Sequence, residues 1–247
     1  MKIAAIIQAR MGSTRFPGKI LAPLIDRPIL SIIRERTREA KVDSWWLATT
    51  SQEQDNLTEL WAKKLGLTVY RGDVEDVLSR FTAIVHHDKP DWIVRLTADD
   101  PFVDKEIINI LIKKAKSAPT SMMHVGIGND NFLPLGYVPE IVRAESLLQA
   151  EAQIPQNTSY HKCHVTSWVK QNTNIGFLDI PAHWKARGHW RWTIDTMKDY
   201  EMASRAFEIF ADSWRSVRYS DIVTLLDRHP EITKINQNVK QKSIEEG

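Results

Sequence analysis

The sequence predicts an α/β protein with a mostly parallel central sheet flanked by helices and with a smaller inserted lobe. Over the first half of the chain, short apolar and often β-branched segments alternate with helical patterns, as is typical of strands buried on both faces. Strand, helix and strand repeated in this way form right-handed crossovers, which make the strands parallel. After about residue 118 the alternation stops, which predicts the separate lobe.

Each element of the first part is predicted from its own pattern. The predicted strands span 3–7, 45–49, 67–70 and 92–97. Two predicted helices span 28–40 and 53–65. A third helix follows Gly72-Asp73 and carries its apolar residues on one face, and a fourth begins near Asp104. Pro28 suits a first helical position, and Ser51 and Gln54 have the spacing of a capping box. Gly66 is expected to end the second helix.

The later residues are expected to complete a single domain over residues 1–230. Residues 119–190, rich in proline and glycine, form the predicted lobe. Within it, strand-like pieces lie at 121–125, 137–142 and 174–180, and helical patterns at 143–152 and 160–171. A strand at 190–194 and helices at 197–211 and 219–228 follow, and residues 231–247 are expected to form a polar, frayed tail.

Composition excludes several classes of protein. The chain has 247 residues, of which 43% are hydrophobic and 26% are charged, as in ordinary soluble domains rather than disordered ones. A net charge of +2 predicts no general attraction to nucleic acid or anionic membrane. The single cysteine, Cys163, predicts a reducing compartment, so we expect the cytoplasm. No stretch approaches the roughly 18 apolar residues of a membrane helix.

The loop after the first predicted strand has the composition of an anion site. Residues 8–19 read QARMGSTRFPGK. Glycines let a backbone approach a ligand closely, hydroxyls and amides donate hydrogen bonds, and Arg10, Arg15 and Lys19 supply positive charge. We therefore expect a polyphosphate cradle, with a surface turn carrying solvated cations as the alternative.

The same loop does not match two common phosphate-binding motifs. A Walker A loop needs G-x-x-x-x-G-K-[ST], but the spacing from Gly12 to Gly18 is one residue too long and Ile20 follows the lysine. The dinucleotide fingerprint G-x-G-x-x-G is also absent from the sequence. A P-loop ATPase and a Rossmann-type site are therefore disfavoured.

Five blocks of sequence, taken together and in this order, identify a family. They are IQARMGSTRFPGKI (7–20), RGDVEDVLSRF (71–81), VRLTADDPFVD (94–104), HVT (164–166) and RWTIDT (191–196). This series resembles the cytidylyltransferase-like family, which includes the type F spore coat polysaccharide biosynthesis proteins and the acylneuraminate and 3-deoxy-manno-octulosonate cytidylyltransferases. The resemblance covers about residues 1–210, and its opening block is highly specific.

The resemblance implies a fold, a reaction and site residues. The implied fold is that of the nucleotide-diphospho-sugar transferases, and the implied reaction is Mg²⁺-dependent transfer of CMP from CTP to a sugar acid or related acceptor, with release of pyrophosphate, in surface polysaccharide or glycoconjugate biosynthesis. CTP is implied by the resemblance alone. The implied catalytic residues are Arg10, Lys19, Asp99 and Asp195, of which the two aspartates hold the metal. The expected nucleotide-binding residues are Gln8, Ala9, Arg10, Gly12, Ser13, Arg15, Lys19 and Arg71.

The two aspartates are also conspicuous without the family. Asp99 follows the fourth predicted strand and stands before Asp100-Pro101, where regular structure cannot continue. Acids in this position cap the next helix or bind a cation, and Asp104 is better placed for the cap. Asp195 ends another strand-like run, where an N-cap of the following helix is an equal alternative. Magnesium prefers one or two carboxylates plus phosphate oxygens, so a pair from distant segments is sensible.

The acceptor side departs from the family pattern. Residues 134–140 read PLGYVPE where relatives usually read like PDGLDVE, so Leu135 and Val138 replace two acids. We therefore expect poor turnover of octulosonate and an acceptor with fewer hydroxyls or amines. The lobe at 119–190 is expected to take the acceptor or to form a homodimer. The candidate acceptor-binding residues are His164, Arg191 and Tyr137.

One arginine, a tryptophan cluster and two rival functions complete the interpretation. Arg80 is interpreted as a solvated helix residue. The cluster of Trp184, Trp190 and Trp192 is expected to be core or subunit-interface packing, with an aromatic platform for a base or sugar as the alternative. The first rival function is a glycosyltransferase or sugar pyrophosphorylase on the same fold, which has less need of the basic loop. The second is a non-catalytic nucleotide- or nucleic-acid-binding protein.

Overall fold

The computed structural model describes residues 1–126, 132–155 and 158–241. The strands, in chain order, are β1 (Ile3–Gln8), β2 (Pro23–Leu24), β3 (Arg27–Pro28), β4 (Ser44–Thr50), β5 (Thr68–Gly72), β6 (Trp92–Thr97), β7 (Met122–Gly126), β8 (Glu140–Arg143) and β9 (Asn174–Phe177). The helices are α1 (Ile29–Thr37), α2 (Asn56–Lys64), α3 (Val77–Asp88), α4 (Lys105–Lys116), α5 (Ala144–Gln153), α6 (Ser159–Cys163), α7 (Ser167–Asn172), α8 (Met197–Phe210), α9 (Tyr219–Arg228) and α10 (Pro230–Lys234).

The centre of the molecule is a seven-stranded sheet in the order β5-β4-β1-β6-β8-β7-β9. Strands β5, β4, β1 and β6 run parallel to their neighbours, as the alternation of strands and helices predicts. Strand β1 lies in the middle of this parallel part and is buried on both faces. Because the carboxyl ends of parallel strands meet at one edge, the loops after β1 and β6 lie side by side there.

The predicted lobe extends this sheet rather than forming a second one. Strand β8 pairs antiparallel with both β6 and β7, and β9 pairs parallel with β7 at the edge. Helices α5 and α7 pack with α3 over one face, through a core that includes Phe81, Leu147 and Val169. No helix in the described ranges is both long and apolar enough to cross a bilayer.

The prediction of a strand at 190–194 is wrong. This segment is irregular and makes one isolated parallel bridge, between Leu135 and Arg191. It is nevertheless fixed in place, because the Trp192 amide donates to the Leu135 carbonyl over 2.7 Å and the Ile194 amide donates to the Asp99 carbonyl over 2.8 Å. Residues 191–195 are all buried, which explains why the segment resembles a buried strand in the sequence.

Helix boundaries differ from prediction in three places and agree with it in a fourth. The predicted helix at 160–171 is two helices, α6 and α7, interrupted at Val165, whose φ is 51°. Ser51 and Gln54 make no capping box, and a 3₁₀ turn over Glu53–Asp55 leads into α2 instead. Pro28 precedes α1 as its N-cap rather than opening it. Gly66 has the left-handed φ of 73° expected of a residue that ends a helix.

The described part of the tail is packed rather than frayed. Helix α10 follows α9 directly and buries Ile232. Asn236 is buried as well, because its side-chain amide donates to the Arg191 carbonyl and to Asp199, each over 2.9 Å. The tail up to residue 241 therefore supports the segment that carries Asp195.

Candidate active site

The loop that follows β1 is held in a closed turn by its own backbone. The Met11 carbonyl accepts from the amides of Ser13 and Gly18, over 2.9 and 3.0 Å. Gly18 has a φ of 72°, a conformation that favours glycine, and the chain then enters a 3₁₀ turn over Lys19–Leu21. This turn directs the Lys19 side chain inward, whereas Arg10 remains exposed at the rim.

A buried carboxylate that the sequence did not single out anchors this loop. Asp55 is fully buried and accepts from the Met11 amide over 2.8 Å and from the Thr58 hydroxyl over 3.1 Å. It also accepts from the Thr50 hydroxyl. Because the three donors come from the loop, from β4 and from α2, Asp55 fixes the position of the loop against the sheet.

The Lys19 ammonium lies between the two predicted metal-binding carboxylates. Its Nζ donates to Asp99 over 2.6 Å, to Asp195 over 2.9 Å and to the Ile194 carbonyl over 2.8 Å. Burial opposes its charge, but the charges of Asp99 and Asp195 outweigh that cost, so the pKa of Lys19 is raised above its ordinary value. The structure thus brings together three residues predicted from distant segments.

Asp195 is surrounded by cations. Besides Lys19, Arg15 lies 3.0 Å and Arg191 lies 2.6 Å from its carboxylate. Burial opposes its ionisation, but the charges of Lys19, Arg15 and Arg191 hold the pKa of Asp195 below its ordinary value. The alternative role as an N-cap is wrong, because Thr196 caps α8 in a capping box with Asp199.

Two cavities meet at these carboxylates. The first has a volume of about 330 Å³ and is lined by Gln8, Ala9, Arg10, Ser13, Thr14, Arg15, Lys19, Ile20, Arg80, Thr97, Ala98, Asp99 and Asp195. It contains most of the residues predicted to bind the nucleotide. The second has a volume of about 540 Å³ and extends over β6, β7 and β8. Both are lined by Arg15, Thr97, Asp99 and Asp195, so a group bound in one lies next to a group bound in the other.

The second cavity is mixed in character. Its apolar wall includes Leu135 and Val138, the two residues that depart from the family pattern, and Leu135 is 44% exposed. Opposite charges and hydrogen-bonding groups are contributed by Arg95, His124, Glu140, His164 and Lys170. The sequence predicted the wall and His164, but not the polar cluster around Glu140.

A further carboxyl group lies between the wall and the metal-binding candidates. Asp100 accepts from the Thr97 hydroxyl, while its Oδ1 is buried without a partner among the described residues. Burial, followed by the charge of Asp99, raises the pKa of Asp100 to about 8. Gly136 passes close beside it with a φ of 91°, where an added Cβ would lie 2.7 Å from Oδ1. A glycine is therefore required at this contact.

The burial of Arg80 differs clearly from the prediction made from the sequence. It is 1% exposed, so the interpretation as a solvated residue is wrong. All three guanidinium nitrogens are buried without a partner in the described part of the chain, and the side chain lines the first cavity. Its stem crosses Gly72, where a Cβ would lie 2.8 Å from the Arg80 Cγ. The position three residues after Val77 and four before Ile84 is the buried helical face, so the signal was present in the sequence.

Other predicted residues lie away from the two cavities. The Arg71 guanidinium pairs with Glu59 over 2.8 Å and donates to the carbonyls of Thr50 and Gln52, over 2.9 and 2.7 Å. The backbone at Gly12 belongs to the loop, but this residue lines neither cavity.

Two of the three candidate acceptor-binding residues are also elsewhere. Tyr137 is fully buried in the aromatic core beside Trp184 and Trp192, and its hydroxyl donates to Asp104 over 3.2 Å. Arg191 is 7% exposed and positions Asp195 from behind. The core packing expected of Trp184 and Trp192 is confirmed.

The comparisons with known proteins identify the family. A model of the cytidylyltransferase family matches residues 4–241. The chain belongs to the cytidylyltransferase family. It is 35% identical over 241 residues to the spore coat polysaccharide biosynthesis protein SpsF of Bacillus subtilis, covering 93% of this chain and 95% of that protein.

Two further relatives agree with this assignment. The chain is 32% identical over 124 residues to the 3-deoxy-manno-octulosonate cytidylyltransferase of Pelobacter propionicus, covering 50% of this chain and 48% of that protein. The solved structure of a cytidylyltransferase from Leptospira borgpetersenii superimposes with a TM-score of 0.86 at 29% identity, covering 98% of this chain and all of that one. The predicted fold and the predicted enzyme class, a nucleotidyltransferase, are confirmed.

Proposed function

We propose that this cytidylyltransferase transfers CMP from CTP to a sugar acid or related acceptor and releases pyrophosphate. The observation that carries the proposal is the pair of cavities meeting at Arg15, Asp99 and Asp195. A transfer between two small molecules needs two adjoining sites with the reacting groups at their junction. The names of the relatives, a spore coat polysaccharide biosynthesis protein and a 3-deoxy-manno-octulosonate cytidylyltransferase, support a role in surface polysaccharide or glycoconjugate biosynthesis.

The first cavity suits a nucleoside triphosphate. Arg10, Arg15 and Arg80 line it, and Ser13 adds a hydroxyl. In the reaction an acceptor oxygen forms a bond to the α-phosphorus, the bond from that phosphorus to the bridging oxygen breaks, and pyrophosphate leaves with the negative charge. Cations that lie around the phosphates stabilise this charge as it develops.

The residues present fit a divalent cation. Asp99 and Asp195 converge on a single ammonium, and magnesium is commonly held by one or two carboxylates together with phosphate oxygens of the substrate. We therefore propose that these two aspartates hold Mg²⁺ when CTP is bound. The ion supplies charge neutralisation at the phosphates. Lys19 keeps the carboxylates together in its absence, and Arg191 holds Asp195 in place.

The second cavity is the proposed acceptor site. His164 lines it, and Arg95 and Lys170 both pair with the single carboxylate of Glu140, which leaves an excess of one positive charge in this cluster that suits an acidic acceptor. Leu135 and Val138 narrow the choice, because an apolar wall leaves hydroxyl or amino groups unpaired, which costs about 1–3 kcal/mol each. The lobe that carries much of this cavity is also proposed to form a homodimer. The single cysteine, Cys163, supports the cytoplasm as the compartment.

A pyrophosphate-release screen tests this function. The four nucleoside triphosphates are each incubated with Mg²⁺ and with a panel of sugar acids and phosphorylated acceptors. Release that requires both CTP and one acceptor supports the proposal. Turnover of a nucleotide sugar instead would support a glycosyltransferase.

A further inference from the structure

The far end of the second cavity is built around one buried carboxylate. The sheet register places Arg95 opposite Glu140 and His124 opposite Val142, so the side chains of Arg95, His124 and Glu140 share one face. Glu140 accepts from Arg95 over 2.9 Å, from the Thr166 hydroxyl over 2.7 Å and from Lys170 over 2.7 Å. Two full cations and a hydroxyl therefore already satisfy this carboxylate.

The His124 ring completes the cluster through one nitrogen only. Its Nε2 lies 3.3 Å from Glu140 Oε1. Burial opposes ionisation of Glu140, but the hydrogen bond to His124 and the charge of Arg95 hold the pKa of this carboxyl well below its ordinary value. Glu140 is therefore an anion that can only accept a hydrogen bond, which assigns the proton of a neutral His124 to Nε2 and leaves a lone pair on Nδ1.

The other nitrogen of this ring has no partner within the part of the chain that the structure describes. His124 is 3% exposed, and its Nδ1 is buried without a hydrogen bond among the described residues. The Arg95 Nε, on the same face, is also buried without a partner there. Buried polar atoms normally have a partner, so two such atoms in the lining of one cavity indicate groups that a ligand satisfies.

A glycine makes room for the His124 ring in the wall of the cavity. Gly126 lies on the same face of β7, two residues after His124, and lines the cavity with it. A Cβ at this position would lie 2.9 Å from the His124 Cε1, the carbon between the two ring nitrogens. The absence of a side chain at Gly126 therefore allows the ring to occupy this position, with Nε2 toward Glu140.

We propose that His124 determines acceptor specificity, with its Nδ1 accepting a hydrogen bond from a hydroxyl or amino group of the acceptor. This inference rests on the proposed function, since it assigns a group to the acceptor end of the same site. Arg95 precedes Asp99 by four residues on β6 and the loop after it, so the reacting oxygen and the group on His124 lie at opposite ends of the cavity. The acceptor is thus an elongated acid that carries a hydroxyl or amino group at the end remote from the reacting oxygen and few such groups where it meets Leu135 and Val138.

Two substitutions test the two ring nitrogens of His124 one at a time. A glutamine amide reaches the position of Nε2 and an asparagine amide that of Nδ1, so His124→Gln keeps a donor for Glu140 and removes the Nδ1 acceptor, whereas His124→Asn does the reverse. We expect His124→Gln to raise the acceptor KM about 5- to 10-fold, the value of one hydrogen bond, with the CTP KM unchanged. His124→Asn should recover part of this loss.

The probes are 3-deoxy-manno-octulosonate, other sugar acids of the panel, and analogues of each that lack one hydroxyl or amino group. Acceptor binding to the CTP-loaded enzyme is measured by calorimetry beside pyrophosphate release. One analogue should bind the wild type more weakly than its parent acceptor does, but should bind His124→Gln about as tightly as the parent does, because the substitution and the analogue remove the same contact. Gly126→Ala, whose methyl group would clash with the His124 ring and displace it, should raise the acceptor KM without changing the CTP KM.

The outcomes distinguish this inference from the proposed function. Turnover of a panel acceptor with the same KM in His124→Gln and the wild type overturns the inference and leaves the function standing. A raised acceptor KM in His124→Asn but not in His124→Gln also overturns the inference, since His124 then acts only through Glu140. Binding that depends on His124 without pyrophosphate release supports the inference and overturns the function. The absence of both binding and release overturns both.

Discussion

Replacing Arg80 by methionine should make the protein more stable and a poorer binder of CTP. Arg80 carries a buried charge whose three nitrogens lack partners in the described ranges, and burial, followed by the charge of Arg10, lowers its pKa. A buried donor left unpaired costs about 1–3 kcal/mol, and a charged one costs more. Arg80→Met keeps much of the side-chain volume and removes this cost. The expected gain is at least about 1 kcal/mol, or roughly 2–4 °C in Tm for a chain of this size.

The loss of CTP affinity follows from the same observation. If the guanidinium meets the nucleotide, each charge-assisted hydrogen bond contributes about 1.5–3 kcal/mol, which is roughly 10- to 150-fold in Kd. Thermal melts without ligand and calorimetry with CTP measure the two effects separately. A lower Tm together with the wild-type Kd for CTP would refute this reasoning and assign Arg80 a structural role.

Arg36 offers a matched control. It is also about 1% exposed, but it donates to the carbonyls of Phe102 and Val217, over 3.1 Å each, and faces Asp104 at 3.7 Å. Removing one partner from a buried charged network typically costs about 3–5 kcal/mol. Arg36→Met should therefore lower the Tm and leave the CTP affinity of the folded protein unchanged, the opposite of Arg80→Met.

Three further predictions concern the carboxylates and their cation. Lys19→Ala should weaken CTP binding more than CMP binding in calorimetry if its ammonium also reaches the terminal phosphates. Its loss of stability relative to the wild type should be complete below about pH 10.5 and should diminish only as the pH rises beyond 10.5 through the raised pKa of Lys19 in the folded protein. Asp195→Asn should abolish most magnesium-dependent turnover, and an unchanged magnesium titration would remove Asp195 from the proposed ligands. Asp100→Asn should gain stability relative to the wild type as the pH rises from about 4 to 8, and no further above pH 8. The reason is that the pKa of Asp100 is about 8 in the folded protein, against 3.8 for the ordinary carboxyl, so the wild type loses stability over this range. A difference in Tm between the two proteins that is independent of pH would contradict this.

The parallel half of the fold could be predicted because its signals are local. Strands such as Trp92–Thr97 are short, mostly apolar runs, and Asp104 caps α4 as expected, accepting from the Glu106 amide over 2.7 Å. The segment 190–194 could not be predicted, because its partners, Leu135 and Asp99, are distant in sequence and pair with it outside any ladder. Whether a strand-like run joins a sheet depends on neighbours that periodicity does not reveal.

The site was predictable where residue type and loop position carry the signal. Two of the loop cations, Arg15 and Lys19, and the aspartates Asp99 and Asp195 were found in this way, and they do converge. The meeting of Lys19 with both carboxylates depends on tertiary packing and was not foreseen. Arg95 and Glu140 were missed although a charged residue inside an apolar strand requires a buried partner, which is a signal that the sequence does contain.

The most direct test of the account is stoichiometric product formation at the junction of the two cavities. The wild type and Asp99→Asn are each incubated with Mg²⁺, a panel acceptor and one of the four nucleoside triphosphates, and pyrophosphate and the acceptor conjugate are quantified together. The account predicts equal amounts of pyrophosphate and CMP conjugate with CTP for the wild type, and loss of most of both for Asp99→Asn, because the carboxylate shared by both cavities is removed. Equal activity of Asp99→Asn, or conjugate formation with another nucleotide in preference to CTP, would contradict it.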